Sequence, residues 1–135
     1  MADNKLRPMD TEKITINLGL VDLGQIDLLV QEGFYSNRTD LIRTAIRNQL
    51  GAHGEALKQS TARRTLVVGL QHLSKSDLEA ARSQGTKLRV RALGLVRIAD
   101  DVTPALAKAT IESISVLGAF QASNAVKAAL ADRIS

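Results

Sequence analysis

The 135-residue chain carries 18 Lys and Arg against 14 Asp and Glu, a net charge of +4, with no Cys, no Trp and three aromatic rings. This rules out a disulfide framework and a cysteine zinc site, and argues against single-strand binding on aromatic platforms. His53 and His72 lie in different segments, no apolar run nears the roughly 18 residues of a membrane span, and the mixed charges of the N-terminus do not make a secretory signal. The expectation is a cytoplasmic protein with no metal, no cofactor and no membrane contact.

The charge is uneven. Residues 1–60 hold seven cations and eight anions, a net −1, whereas residues 61–135 hold eleven and six, a net +5. Any DNA contact by the first part must therefore come from placement of charge rather than from its sum.

In chain order, residues 1–11 read as a flexible arm. Lys13-Ile-Thr-Ile-Asn-Leu18 alternates polar and apolar, which predicts a strand with Ile14, Ile16 and Leu18 on its buried face. Leu23, Ile26, Leu29 and Val30 recur at helical spacing, and Gly33 closes that helix. Asn37 followed by Asp40 starts a second helix, with Ser36 and Thr39 as the weaker alternative. Its apolar stripe is Leu41, Ile42, Ala45, Ile46 and Leu50. A lone strand with two helices is too small to fold by itself. Two copies pairing their strands antiparallel would solve this and leave Lys13, Thr15 and Asn17 facing outward.

Residues 51–62, with Gly51 and Gly54 and no sustained apolar period, read as a linker. From about residue 63 three segments resemble one another. Each is an extended run followed by an Ala-rich helix, and Gly69, Gly94 and Gly118 fall at matching places, 25 and 24 residues apart. Ser74 with Asp77, Thr103 with Pro104, and Ser123 supply the helix starts. The period suits a small three-repeat β/α solenoid with parallel strands. An ordinary βαβ domain with coincidental glycine spacing is the alternative. From residue 87 to residue 98, alternation puts Lys87, Arg89, Arg91 and Arg97 on one face. They are either a solvated strand face or a second basic surface for flanking DNA or an acidic partner. No phosphate loop, nucleophile elbow or acid–base constellation is present, so the chain does not read as an enzyme.

The run Lys13–Leu18, then Leu23, Ile26, Asp27, Leu29, Val30 and Gly33, then Tyr35-Ser-Asn-Arg-Thr-Asp-Leu-Ile-Arg43 with Ala45 and Ile46, resembles the ribbon-helix-helix (Arc/MetJ-type) family of DNA-binding proteins. Gly19 and Leu20 stand where many relatives start the first helix with Pro and an acidic residue. The resemblance covers under a third of the chain. It implies an N-terminal βαα intertwined dimer over residues 12–50; with the linker read at 51–62 and the C-terminal β/α domain read over residues 63–135, the whole is expected to be an α+β protein. The resemblance implies an antiparallel ribbon in the major groove of double-stranded DNA, with Lys13, Thr15 and Asn17 reading base edges. It also implies a phosphate held at the second helix by Ser36, Asn37, Arg38 and Thr39, and Arg43 and Arg47 lie close enough to join them.

The function this implies is a homodimeric transcriptional regulator, a repressor. Its C-terminal domain would assemble higher oligomers or sense a protein or small-molecule effector. Two alternatives stand beside it. One is the antitoxin of a toxin–antitoxin pair, which the folded-looking, apolar C-terminal part disfavours. The other is a DNA-tethered structural assembly protein such as a plasmid partition factor, built through open solenoid ends.

Overall fold

The computed structural model describes residues 11–135, so all but Thr11 of the expected arm lies outside the described residues. The chain forms two compact units, one over Lys13–Ser60 and one holding Thr61–Ser135.

The first unit is helical. Residues 11–19 carry neither helix nor strand, so the expected strand at 13–18 has no ladder partner within a single chain. Helix α1 spans Leu20–Gln31 and α2 spans Arg38–Ala52. Between them, Gly33 at φ +85° ends α1. The Gly33 N–H donates to the Val30 carbonyl (3.1 Å) and the Phe34 N–H to the Leu29 carbonyl (3.0 Å). These are the two bonds of a Schellman closure, which satisfies carbonyls the helix end would otherwise leave open. Asn37 caps α2: its side-chain oxygen accepts from the Asp40 N–H at 2.8 Å.

Residues 51–62, expected as a linker, are helical for most of their length. Helix α2 runs through Ala52, and α3 spans Gly54–Arg63. The Leu57 N–H reaches the His53 carbonyl at 2.9 Å. Glu55, Ala56, Leu57, Lys58 and Gln59 are all strong helix formers, and two glycines do not outweigh that run.

The second unit is a parallel sheet covered by helices. Strand β1 is Val67–Leu73, α4 Lys75–Ser83, β2 Leu88–Ile98, α5 Pro104–Thr110, β3 Ile111–Gln121 and α6 Asn124–Ala129. The strands lie in sequence order β1-β2-β3, both pairs parallel. The three glycines meet in register, Gly69 opposite Gly94 and Gly94 opposite Gly118. All three have positive φ (115°, 137° and 121°). The backbones cross so closely there that a Cβ on Gly118 would lie 2.0 Å from the Gly94 carbonyl oxygen. Only glycine fits both the space and the dihedral.

The expected helix starts all form. Ser74 accepts from the Asp77 N–H while the Asp77 carboxylate accepts from the Ser74 N–H, a reciprocal capping box. Thr103 accepts from the Leu106 N–H with Pro104 in the first turn, and Ser123 accepts from the Val126 N–H. The helices bury Leu78, Leu106, Ala107, Val126 and Leu130 against Val90, Ala92, Val96 and Ile98 of β2 and Ile111 and Ile114 of β3. Thr110, fully buried, donates its hydroxyl to the Leu106 carbonyl at 2.8 Å, so it costs no unmatched polar group. A 3₁₀ turn at Ala131–Arg133 brings Ile134 alongside Ile114, and the Ser135 N–H donates to the Ile114 carbonyl at 2.8 Å.

Candidate nucleic-acid interface

None of residues 13–60 is fully buried. Ile14 is 74% exposed, Ile16 63% and Leu18 40%. On α1 and α2, Leu28, Leu29, Ile46 and Leu50 are exposed as well. The apolar face that alternation assigns to the strand therefore finds no cover within one chain. Lys13, Thr15 and Asn17, the three residues expected to read bases, are exposed in the same segment.

The start of α2 is organised in more detail than the sequence suggested. Beyond the Asn37 cap, the Asp40 carboxylate accepts from the Ser36 N–H at 2.9 Å, which orders the turn before the helix. It also places a negative charge beside the amides expected to hold phosphate. Arg38 does not stand free. Its Nε donates to Asp27 Oδ1 at 2.7 Å and its Nη2 to Asp27 Oδ2 at 2.8 Å, a bidentate pair joining α1 to α2. That hydrogen bonding, followed by the guanidinium charge, holds the Asp27 carboxyl below the usual carboxylate range. The pair is exposed, so it orients the two helices more than it stabilises them.

Asn37, Thr39, Arg43 and Arg47 line one shallow depression with Asp40. The structure thus gathers four of the six expected phosphate residues at one place. Of the other two, it assigns Arg38 to Asp27 and leaves Ser36 just before the cap. The i, i+4 spacing makes Arg43 and Arg47 neighbours on the helix surface. The positive end of the helix dipole adds to their field.

Lys87, which precedes β2, and the three arginines of β2 are each engaged. Lys87 Nζ donates to the Ala109 carbonyl (2.9 Å), Arg89 Nε to Glu112 (2.6 Å), Arg91 Nη1 to the Thr65 hydroxyl (2.8 Å) and Arg97 Nε to the Gln121 side-chain oxygen (3.0 Å). Of these four contacts, that of Arg89 alone is to a carboxylate. Glu112 is held below the usual carboxylate range by the Arg89 hydrogen bond first, then by the charges of Arg89 and Lys87. The strip therefore ties β2 to its neighbours and still keeps an excess of positive charge.

Sequence reasoning missed Asp27 as the partner of Arg38, because an eleven-residue separation across a turn leaves no periodic signal. It also missed Arg64 and Thr65, which sit at the start of the expected C-terminal domain. Among the described residues, no group of His, Asp and Glu could hold a metal ion, and no helix is long and apolar enough to cross a membrane.

The model of the Ribbon-Helix-Helix transcriptional regulator family matches residues 9–127, spanning both units. No curated protein and no solved structure matches the chain.

Proposed function

The chain belongs to the ribbon-helix-helix transcriptional regulator family, and from that premise we propose that it is a sequence-specific repressor that acts as a homodimer on double-stranded DNA. The observation that carries the reading is the uncovered apolar face of Ile14, Ile16 and Leu18 in a segment with no ladder partner. An antiparallel strand from a second copy would supply the hydrogen bonds, and the helices of both copies would bury the apolar row. The alternate positions then point one way, putting Lys13, Thr15 and Asn17 of both copies on one ribbon surface. Asn suits adenine, Lys suits guanine, and Thr offers a hydroxyl or a methyl. The depression at Asn37, Thr39, Arg43 and Arg47 would hold the backbone in place while the ribbon reads.

In this reading residues 63–135 form a three-unit parallel solenoid that serves assembly or signal sensing. The in-register glycines and the period of 25 and 24 residues support it.

Footprinting on the promoter region of the protein's own gene, with wild type and Asn17→Ala side by side, tests base reading. The expected result is a dyad-symmetric protected site whose sequence preference relaxes in the variant. An unchanged preference refutes the assignment. Dilution tests dimerisation: the helical signal of α1–α3 should fall with protein concentration while the sheet unit stays folded.

A further inference from the structure

Three helices of this chain end in the same closure, and one of them uses the wrong residue for it. Gly33 and Gly85 take the left-handed position after α1 and α4, at φ +85° and +68°. After α3 that position is held by Thr65, at φ +52°, the only positive-φ residue other than glycine among the described residues. The bonding is the same: the Thr65 N–H donates to the Ala62 carbonyl (3.1 Å) and the Leu66 N–H to the Thr61 carbonyl (3.0 Å). A β-branched residue is strained there, and glycine would close the helix without strain. What Thr65 adds is its hydroxyl. It donates to the Arg64 carbonyl at 2.7 Å and accepts from Arg91 Nη1 at 2.8 Å. The strained turn therefore fixes one edge of the Arg91 guanidinium and leaves its other donors unused by any carboxylate.

Arg91 also lines a shaped place. Arg91 and Arg64 line one open depression of about 340 Å³ with the serines Ser113, Ser115 and Ser135. The sheet register builds it: Arg91 lies opposite Ser115, and Arg89 opposite Ser113. The nearest strand acid, Glu112, is already held by Arg89 at 2.6 Å. Neither Arg64 nor Arg91 has a carboxylate partner among the described residues. Two guanidinium groups, one of them pre-oriented, beside hydroxyl donors make a receptor for a tetrahedral oxyanion.

We propose that Arg64, Arg91, Ser113 and Ser115 form a phosphate-binding site in the C-terminal unit, with Thr65 as the positioning residue for Arg91. The site lies wholly within residues 61–135 and does not depend on the DNA-reading assignment of residues 13–17. The phosphate comes either from a small phosphorylated molecule or from the DNA backbone.

The test uses the full chain and inorganic phosphate, followed by NMR at constant ionic strength with chloride as control. Wild type should show saturable shifts at residues 64–66, 91 and 113–115. Arg91→Met should weaken binding by about tenfold or more, the usual loss for a hydrogen bond to a charged group. Thr65→Gly keeps the helix closure and relieves its strain. It should raise the unfolding midpoint yet weaken phosphate binding several-fold, a split that a purely structural threonine would not give. Duplex binding then separates the sources. If Arg91→Met lowers the salt slope of DNA binding by about one and phosphate competes with DNA, the ligand is the backbone. If DNA binding is unchanged and phosphate binds the DNA complex equally well, the ligand is a small molecule. The absence of a saturable phosphate response in wild type overturns the proposal, and so does an equal response in wild type and both variants.

Discussion

Replacing Gly118 by Ala tests the account of the sheet most directly. The new Cβ would lie 2.0 Å from the Gly94 carbonyl oxygen and 2.9 Å from its carbon. Both atoms are backbone in the paired strand, so no side chain can swing away. The φ of +121° adds strain for any L side chain. Strain of this kind costs about 1–3 kcal/mol, and the backbone shift that the clash forces typically costs ~1–3 kcal/mol more. Reduced freedom of the unfolded chain returns only about 0.4–1 kcal/mol. The net loss is about 2–5 kcal/mol, a large share of the roughly 5–15 kcal/mol that holds a domain together. Gly94→Ala should behave alike, since its Cβ would sit 2.5 Å from the Gly69 carbonyl oxygen. Gly24→Ala is the control. It lies inside α1 with nothing within 4 Å, so it should stabilise that helix by about 1 kcal/mol. Urea unfolding of the full chain, followed by far-ultraviolet circular dichroism, measures all three. If Gly118→Ala unfolds within about 0.5 kcal/mol of wild type, the range of a neutral surface change, the close backbone crossing is wrong.

Asn37→Ala should cost about 1 kcal/mol in the first unit through loss of the α2 cap, read as a lower urea midpoint. Asp27→Asn should release Arg38 from its bidentate partner, tighten non-specific DNA binding and steepen the salt dependence of log K by about one unit, measured by fluorescence anisotropy. The Asp77 carboxyl is held low by accepting from the Ser74 backbone and by its other hydrogen bond with Ser74. A depressed folded value means its contribution is present above the unfolded value, about 3.9. That contribution is lost as pH falls through the folded one. Acid titration of the sheet unit should therefore show a fall in stability below about pH 4, and Asp77→Asn should flatten that limb.

Much of the local chemistry was legible in the sequence. The caps at Asn37, Ser74, Thr103 and Ser123 depend on residues three apart, and a helix start needs nothing more distant. The glycine period was legible for a different reason. Parallel strands in sequence order turn a constant repeat length into a constant register, so spacings of 25 and 24 became one row of neighbours. What escaped was set by contacts across the fold. The partners of Arg89 and Arg97 sit on the next strand, and Lys87 reaches a carbonyl of α5, so only the folded topology names them. Residues 51–62 looked like a break because two glycines stand out, while the helix formers between and after them do not. The start of β3 at Ile111, directly after α5, was hidden because no turn residue separates the two elements. Thr65 escaped because propensity argues against the conformation it adopts.

The two edges of the sheet bear on whether the C-terminal unit builds filaments. Strand-edge stacking in one direction would place β1 of one copy on β3 of the next, a contact that repeats without closing. The outer edge of β3 is already occupied near Ile114, where Ile134 pairs alongside and Ser135 takes the carbonyl. Arg133 reinforces this by donating to the Ile111 carbonyl at 2.8 Å. The chain thus covers the first part of the edge that a growing filament would need. Among the described residues strand β1 has no such cover, and Val67 and Val68 on it are exposed. Two β1 edges meeting across a twofold axis would close on themselves and stop at a pair. The partial cover of the β3 edge therefore speaks against a polymer built by repeated stacking of strand edges.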